Sequence, residues 1–595
     1  MQLFSSKIFG ILALVALSLT LPVAHAADDP CVRPAPGSVV QEPKDLRSDQ
    51  GVLKLDLSIH DYKEPDGTVR YCYLLPDGTE SPTLRLHPGD LLILHLTDDL
   101  IDPEMTVPGA KLQGPHPVQG MAGMDMSLTK ASGDPCQRGA MDATATNLHF
   151  HGLTLPPVCH QDDVLNTSIA PGDPPFEYRF RIPADEPPGL YWYHPHIHGF
   201  SSREVQGGAS GAMVIEGIER ANPAVAGLPE RVLVIRDQVL MNPNAPPSKS
   251  EPVVPKMLID KDGDAANNGT GFGKPAKDLS INFVPVPYPD YPPAHILMRP
   301  GEKQLWRVLN ASAITYLNLA LLFQGRAQQL GIVALDGVPF ASGAAPGPQV
   351  AWTDHIGLPP GARAEFMLQG PPAGVPALFV TRTVDTGPGG ENDPNRALAF
   401  VTASADAPEP APNLATAPKP LPPAVRPWLG SVAPAHVRKL YFSEELSDPN
   451  DPNSPTNFYI TVDGQKPHLF DPKTLAPDIV VQQGDVEDWI IENRSNELHA
   501  FHIHQLHFEV MDYDGRAVDE PFLRDTVNVP YYNGRDLQYP SLRLRMDFRD
   551  PDMVGTFVFH CHVLEHEDGG MMGIIEVQPR PELNSVQRHS ADPSH

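Results

Sequence analysis

Apolar and polar residues alternate along GVLKLDLSIHDY (51–62) and along SPTLRLHPGDLLILHLTDDL (81–100), where a Pro-Gly-Asp turn separates two runs. Alternation at period two predicts strands with one buried face. The same sub-pattern of strand, glycine turn, strand and polar stop returns in AHILMRPGEKQLWRVLNAS (294–312) and in DIVVQQGDVEDWIIENRS (478–495). Three copies predict three related β domains, placed at 45–220, 228–405 and 436–580. Residues 406–435 carry the Pro/Ala-rich run APEPAPNLATAPKPLPPAVRPW, expected to be an extended linker, and the polar tail 581–595 is expected to be mobile. Residues 101–146 interrupt the first domain with a Gly-, Pro- and Met-containing stretch that has neither period.

Composition supports an all-β chain. There are 69 prolines among 595 residues, which disfavours long helices and favours turns and sheet edges. Hydrophobic residues make up 41% and charged residues 20%, as in a folded globular protein too long for one core. The formal net charge of −29 disfavours nucleic acid and anionic membranes as partners, and leaves cations open. Residues 1–26 combine Lys7, an apolar run from Ile8 to Leu21 and an Ala-His-Ala end. That pattern predicts a cleaved export signal rather than a membrane anchor, and no later stretch is apolar enough for stable membrane insertion. The expected location is the periplasm, with secretion beyond the cell the alternative.

Export puts the five cysteines in an oxidising compartment, where an odd count leaves one unpaired. Cys561, inside a histidine cluster, is the candidate. Cys31, Cys72, Cys136 and Cys159 could form two disulfides; three pairings are open, and Cys31–Cys72 with Cys136–Cys159 is the working choice. No CxxC pair supports a structural zinc site.

Half of the 24 histidines fall in four short motifs, HFHG (149–152), HPHIHG (194–199), HAFHIHQLH (499–507) and HCHVLEH (560–566). In a strand, residues i and i+2 face one side, so each His-x-His aims two imidazoles at one place. His149/His151, His194/His196, His502/His504 and His560/His562 are four such pairs, enough for more than one metal. Cys561 points away from its two neighbours. With His499, His566 and Met571 it makes the two-imidazole, thiolate and weak-thioether set of a blue-copper centre. One isolated HxH is most often an ordinary strand; four pairs with Cys-x4-His-x4-Met are not.

With these motifs in this order, the chain resembles the three-domain multicopper oxidases, the bacterial laccase-like family of cupredoxin repeats. The segment RPGEKQLWRVLNAS resembles that family's middle domain. The resemblance implies three cupredoxin-like Greek-key β-sandwich domains and four copper ions. It assigns the type 1 copper to His499, Cys561 and His566 with axial Met571, and the type 2 copper to His149 and His502. It assigns the type 3 pair to His151, His194 and His562 on one ion, and to His196, His504 and His560 on the other. His198 and His507 match no ligand position and are expected nearby or at the surface. Electrons from a small-molecule reductant are expected to arrive at an exposed edge of His499 and to pass through Cys561 to His560 and His562. Dioxygen is then reduced to water. Glu567 resembles a carboxylate that relays protons in bacterial members, and Asp162 resembles the acid near the type 2 copper. A Met at the axial position implies a lower potential than the Leu or Phe of fungal forms.

The first functional expectation is oxidation of phenols or aromatic amines. The second is a metallo-oxidase of Cu(I), Mn(II) or Fe(II), which Met121, Met124, Met126, Met141 and His116 of the insertion would suit as soft ligands. The third is a non-enzymatic cupredoxin scaffold or copper store, and a monomer is expected. DKDGDAANNGTG, from Asp260, has Ala265 and Gly271 where a calcium loop needs Gly and Glu, so it reads as a surface turn.

Overall fold

The computed structural model describes residues 29–580 apart from 102–133, 138–140, 247–257, 260–264, 267–272 and 341–348, with short breaks at 409, 411–413, 418, 421–425 and 452–453. The export segment, most of the insertion with Met121, Met124 and Met126, much of the linker and the tail therefore lie outside the described residues, as does most of the rejected calcium loop.

The described chain is all-β, and its sheets pair into sandwiches. In the first, Val52–Lys63 and Leu91–Asp99 run parallel with Val52 opposite Leu91. Leu53, Leu55, Leu57 and Ile59 turn inward with Leu92, Leu94 and Leu96, so the period-two pattern is the pattern of burial. Each such side chain taken out of water stabilises the fold by roughly 1.5–3 kcal/mol. The opposing five-stranded sheet carries His149–His151 and Leu190–His194, paired antiparallel with His149 opposite His194. The middle sandwich is built around Trp306, Leu319 and Phe379. In the third, a five-stranded sheet pairs His499–Ile503 with Gly555–Cys561, placing His502 opposite His560. Cys561 and Met571 belong to that sandwich's apolar core.

Two covalent ties hold the first sandwich. Cys31–Cys72 fastens the N-terminal segment to Val69–Leu74, and Cys136–Cys159 closes the base of the insertion; Cys561 is a free, buried thiol. Between the first and middle sandwiches runs a buried chain of alternating charge. Arg85 and Arg307 both donate to Glu230, at 2.6 and 2.8 Å, and Arg307 also pairs with Glu365. Glu365 in turn accepts the Leu190 N–H at 2.8 Å, which anchors the strand that ends in His194. Paired charges of this kind are tolerated in a core only when nearly every donor is satisfied. Among the described residues no helix is long and apolar enough to cross a membrane.

Candidate metal centre

The two histidine-bearing sheets, one from the first sandwich and one from the third, face each other, and the four HxH pairs meet between them. Ligand atoms of His151, His194 and His562 lie within 4.8 Å of one another, as do those of His196, His504 and His560, and those of His149, His151 and His502. The rings of His149 and His504 stack at 3.8 Å, and those of His151 and His502 at 4.0 Å. All eight histidines are buried. Burial, joined in most cases by the neighbouring imidazoles, pushes their pKa values down, for His194 to about 3 and for His560 to about 4. Neutral imidazoles with free lone pairs result.

Outer acceptors orient these rings. His149 Nδ1 donates to Asp162 at 2.9 Å, His151 Nε2 to Asp525 at 3.2 Å, His194 Nδ1 to the Pro195 carbonyl at 2.9 Å and His502 Nδ1 to the Asp525 carbonyl at 2.8 Å. The opposite nitrogens, His149 Nε2, His151 Nδ1, His194 Nε2 and His502 Nε2, are buried with no hydrogen-bond partner. Nε2 of His560 lies 3.3 Å from that of His504 and 3.5 Å from that of His196. Converging, partnerless lone pairs would be costly in a protein interior unless a cation collects them. The donor set, all imidazole, with His149, His151, His194 and His502 each fixed by an outer partner, fits copper.

The second constellation lies on the other face of Gly555–Cys561. Cys561 Sγ is 3.5 Å from His499 Nδ1 and 3.8 Å from His566 Nδ1, and the two nitrogens are 3.2 Å apart. Met571 is fully buried beside them; its carbonyl accepts the Cys561 N–H at 3.1 Å and its N–H donates to the His566 carbonyl at 2.9 Å. Burial pushes the Cys561 thiol up to about 12, so a cation is needed to hold it as thiolate. Phe458 stacks on His566 at 4.4 Å.

One sequence expectation changes. His499 has no exposed edge: it is 0% accessible, and its Nε2 lies 2.8 Å from Ser495 Oγ and 3.0 Å from Glu444 Oε1. Its neighbours in the third sandwich fold over the ring. His198 and His507, expected nearby or at the surface, are buried, at 4% and 9% exposure. His507 Nε2 donates to the Asp336 carbonyl at 2.9 Å. Of the two carboxylates, Glu567 is buried with one oxygen 3.1 Å from His560 Nδ1 and the other 3.7 Å from His196 Nε2. Asp162 is also buried; it accepts from His149, from the Phe150 N–H at 2.9 Å and from Gln505 Nε2 at 2.5 Å, a grip that orients the ring.

Sequence reading missed the residues that unite the cluster's two halves. Asp525 receives both terminal nitrogens of Arg363, at 2.8 and 2.7 Å, while Arg363 also donates to the carbonyls of Leu190 and Asp336. One guanidinium from the middle sandwich thus ties strands of all three around His151 and His502. Burial alone would raise the Asp525 pKa, but Arg363 outweighs it and keeps the carboxyl below its usual range. Gly361, at φ 85°, lies against His562, and a Cβ there would come within 2.7 Å of His562 Nε2. Replacing Gly361 with Ala should displace that ring at a cost of roughly 1–3 kcal/mol. Thermal unfolding and the copper-to-protein ratio would both fall, and unchanged values would refute the contact.

A stack of β-sandwiches with imidazoles clustered between the first and third, and a Cys-His-His-Met set one residue away, defines an all-β protein of several cupredoxin-like domains with two clusters of candidate copper ligands. Family models described as multicopper oxidase match residues 140–220 and 449–581. A multicopper oxidase of Staphylococcus aureus is 24% identical over 437 residues, 73% of this chain and 76% of the relative. Among solved structures, a Campylobacter jejuni multicopper oxidase described as a metallo-oxidase superposes with a TM-score of 0.60 at 22% identity, covering 92% of this chain and 97% of that one. A laccase-like oxidase from Ochrobactrum, described as active towards lignin model compounds, gives 0.55 at 20% identity over 90% and 100% of the two chains. Residues 140–220 and 449–581 thus carry multicopper oxidase domains, and the chain resembles that family of copper-binding oxidoreductases, which pass electrons from a reducing substrate to dioxygen.

Proposed function

We propose that this chain oxidises a low-valent metal cation, Fe(II) or Mn(II), at its thiolate end and reduces dioxygen to water between the facing sheets. The reading rests on one observation. The outer nitrogen of each imidazole beside Cys561 lies against a carboxylate, His499 against Glu444 at 3.0 Å and His566 against Glu497 at 3.4 Å. Glu444, which the hydrogen bond to His499 keeps below the usual carboxylate range despite burial, offers a hard oxygen ligand and negative potential to a divalent reductant, and Glu497, which burial and Glu444 push well above that range, offers a second oxygen beside it. The chain's acidic charge favours the same kind of partner.

His499, Cys561, His566 and Met571 would hold one copper ion, and the eight HxH imidazoles the remaining three in the grouping that the resemblance implies. Copper bound there supplies the one-electron acceptor and the centre where dioxygen is reduced. The chain's own residues do the rest. Cys561 is bonded through the backbone to His560 and His562, so the two constellations share one continuous strand. Asp162 and Asp525 hold the imidazoles in place, and Glu567 holds a proton beside His560 for the oxygen chemistry.

The test is dioxygen uptake by copper-loaded protein with Fe(II), Mn(II), Cu(I) or a methoxyphenol, in the parent and in Glu444→Gln/Glu497→Gln. Glutamine keeps an acceptor for each imidazole N–H and removes the charge. The expected result is a fall of about 10- to 100-fold in kcat/KM for the metal ions, with the phenol rate little changed. A parent that prefers the phenol, with a rate indifferent to both substitutions, would replace this reading by the phenol oxidase that the Ochrobactrum relative's described activity favours. No uptake with any reductant, despite full copper, would mean a scaffold or store.

A further inference from the structure

We propose that Met141, His198 and Met572 form a Cu(I)-binding site in the wall of the histidine cluster, and that copper entering the folded chain passes through it to His196. The inference rests on the cluster holding copper, and it is independent of which reductant the filled protein oxidises.

The site is a small cavity of about 10 Å³ between residues of the first and third sandwiches, room for one water or one bare metal ion. Its lining is apolar apart from two imidazoles and two thioethers: His196 and His198 from HPHIHG, Met141 from the insertion, and Met572. No carboxylate and no thiolate lines it. Met572 opens the strand Met572–Gln578 and faces away from its neighbour Met571. Met571 packs in the core of the third sandwich, whereas Met572 packs in a separate apolar cluster with Phe470 and Val558. Met141 stands five residues after Cys136, whose bond to Cys159 holds the base of the insertion against the body. Two stretches far apart in the chain thus each bring one sulfur to the same cavity.

His198 carries the argument. It is buried, and neither of its ring nitrogens has a hydrogen-bond partner among the described residues. Phe470 meets its ring edge-on, with centroids 4.6 Å apart. His507, the other motif histidine without a ligand assignment, is satisfied by the Asp336 carbonyl; His198 has no such acceptor. The other buried imidazole nitrogens without a partner among the described residues belong to the histidines of the cluster. Leaving a buried polar group unmatched is costly, so the ring is explained by a guest in the cavity it lines. Two thioethers and one imidazole make a soft, uncharged set, which suits Cu(I) rather than hard divalent ions that take oxygen ligands. The ion has a short way to go, because His196 lines the same cavity and its Nε2 lies 3.5 Å from that of His560 inside the cluster. No electron is exchanged: Cu(I) enters and leaves the site as Cu(I).

The experiment uses the full chain and two probes: Ag(I), a redox-inert substitute for Cu(I), and Cu(I) itself, supplied as its acetonitrile complex. The variants are Met141→Leu, Met572→Leu and the two combined; leucine keeps the volume and removes the sulfur. Crystals of the copper-loaded parent soaked in Ag(I) should show silver, by its anomalous scattering, between Met141, His198 and Met572. Crystals of the double variant should not. In solution the copper-loaded parent should bind one silver ion more than the double variant. Metal-free parent given Cu(I) without dioxygen should fill its cluster about 10-fold faster than the double variant, read as copper content against time. Once filled, both should take up dioxygen alike. A water in the cavity and no silver, equal silver binding by parent and double variant, or equal filling rates would each overturn the proposal. None of these outcomes touches the oxidase reading, which fails if the fully copper-loaded parent takes up no dioxygen. Should Met572→Leu not fold, Met141→Leu, at a half-buried position, decides by the same measurements.

Discussion

Replacing Arg363 with Met should lower the stability of the folded chain by about 3–5 kcal/mol and strip copper from the histidine cluster, while leaving the first sandwich's outer sheet intact. The reason is the company Arg363 keeps. It is fully buried and holds Asp525 with two parallel hydrogen bonds, and Asp525 in turn fixes His151 through a carboxylate oxygen and His502 through its carbonyl. Removing the cation leaves an uncompensated carboxylate in a dry interface, the expensive half of a broken buried pair. Denaturant unfolding and metal analysis check the expectation. Arg363→Met combined with Asp525→Asn should recover most of the stability, because both charges then leave together. It should recover less of the copper, since the amide holds His151 less firmly. A single variant as stable as the parent would show that the bond is an ornament.

Changing Cys561 to Ser should abolish the blue absorption and reduce dioxygen uptake to the background of the metal-free protein, with one copper ion fewer bound than in the parent. Serine is close to cysteine in size, so the core around residue 561 stays packed, and His560 and His562 keep their places on the strand. Only the thiolate is lost, and with it the one soft anionic ligand among His499, His566 and Met571. Absorbance, copper content and oxygen electrode traces on the same sample settle it. Retention of a blue band would mean that the sulfur does not hold the metal.

Much of this was legible in the linear chain because strand geometry is local. A residue two positions along a strand returns to the same face whatever the rest of the fold does, so HFH and HCH announce paired imidazoles, and Cys561 between two of them must face the other way. The alternation in 51–62 likewise anticipates which leucines are buried. Asp525, in LRDTV, has no such signal: one acid after an arginine looks like any surface turn. It matters only because Arg363, 162 residues earlier, arrives beside it. Glu444 and Glu497 were silent for the same reason, and His499 was read as exposed because nothing local says what folds over a side chain.

By itself, then, the sequence determined the all-β class, the three repeated strand patterns, the histidine and cysteine content of both constellations and the face each side chain takes. Period-two geometry and ligand chemistry are carried by neighbours along the chain. The tertiary structure alone decided how the first and third sandwiches face each other, which lone pairs converge and which carboxylates lie against the thiolate end. Those relations join residues far apart in the chain, and their free energies come from burial and from charges brought close in a low-dielectric interior, quantities that do not exist until the domains have packed.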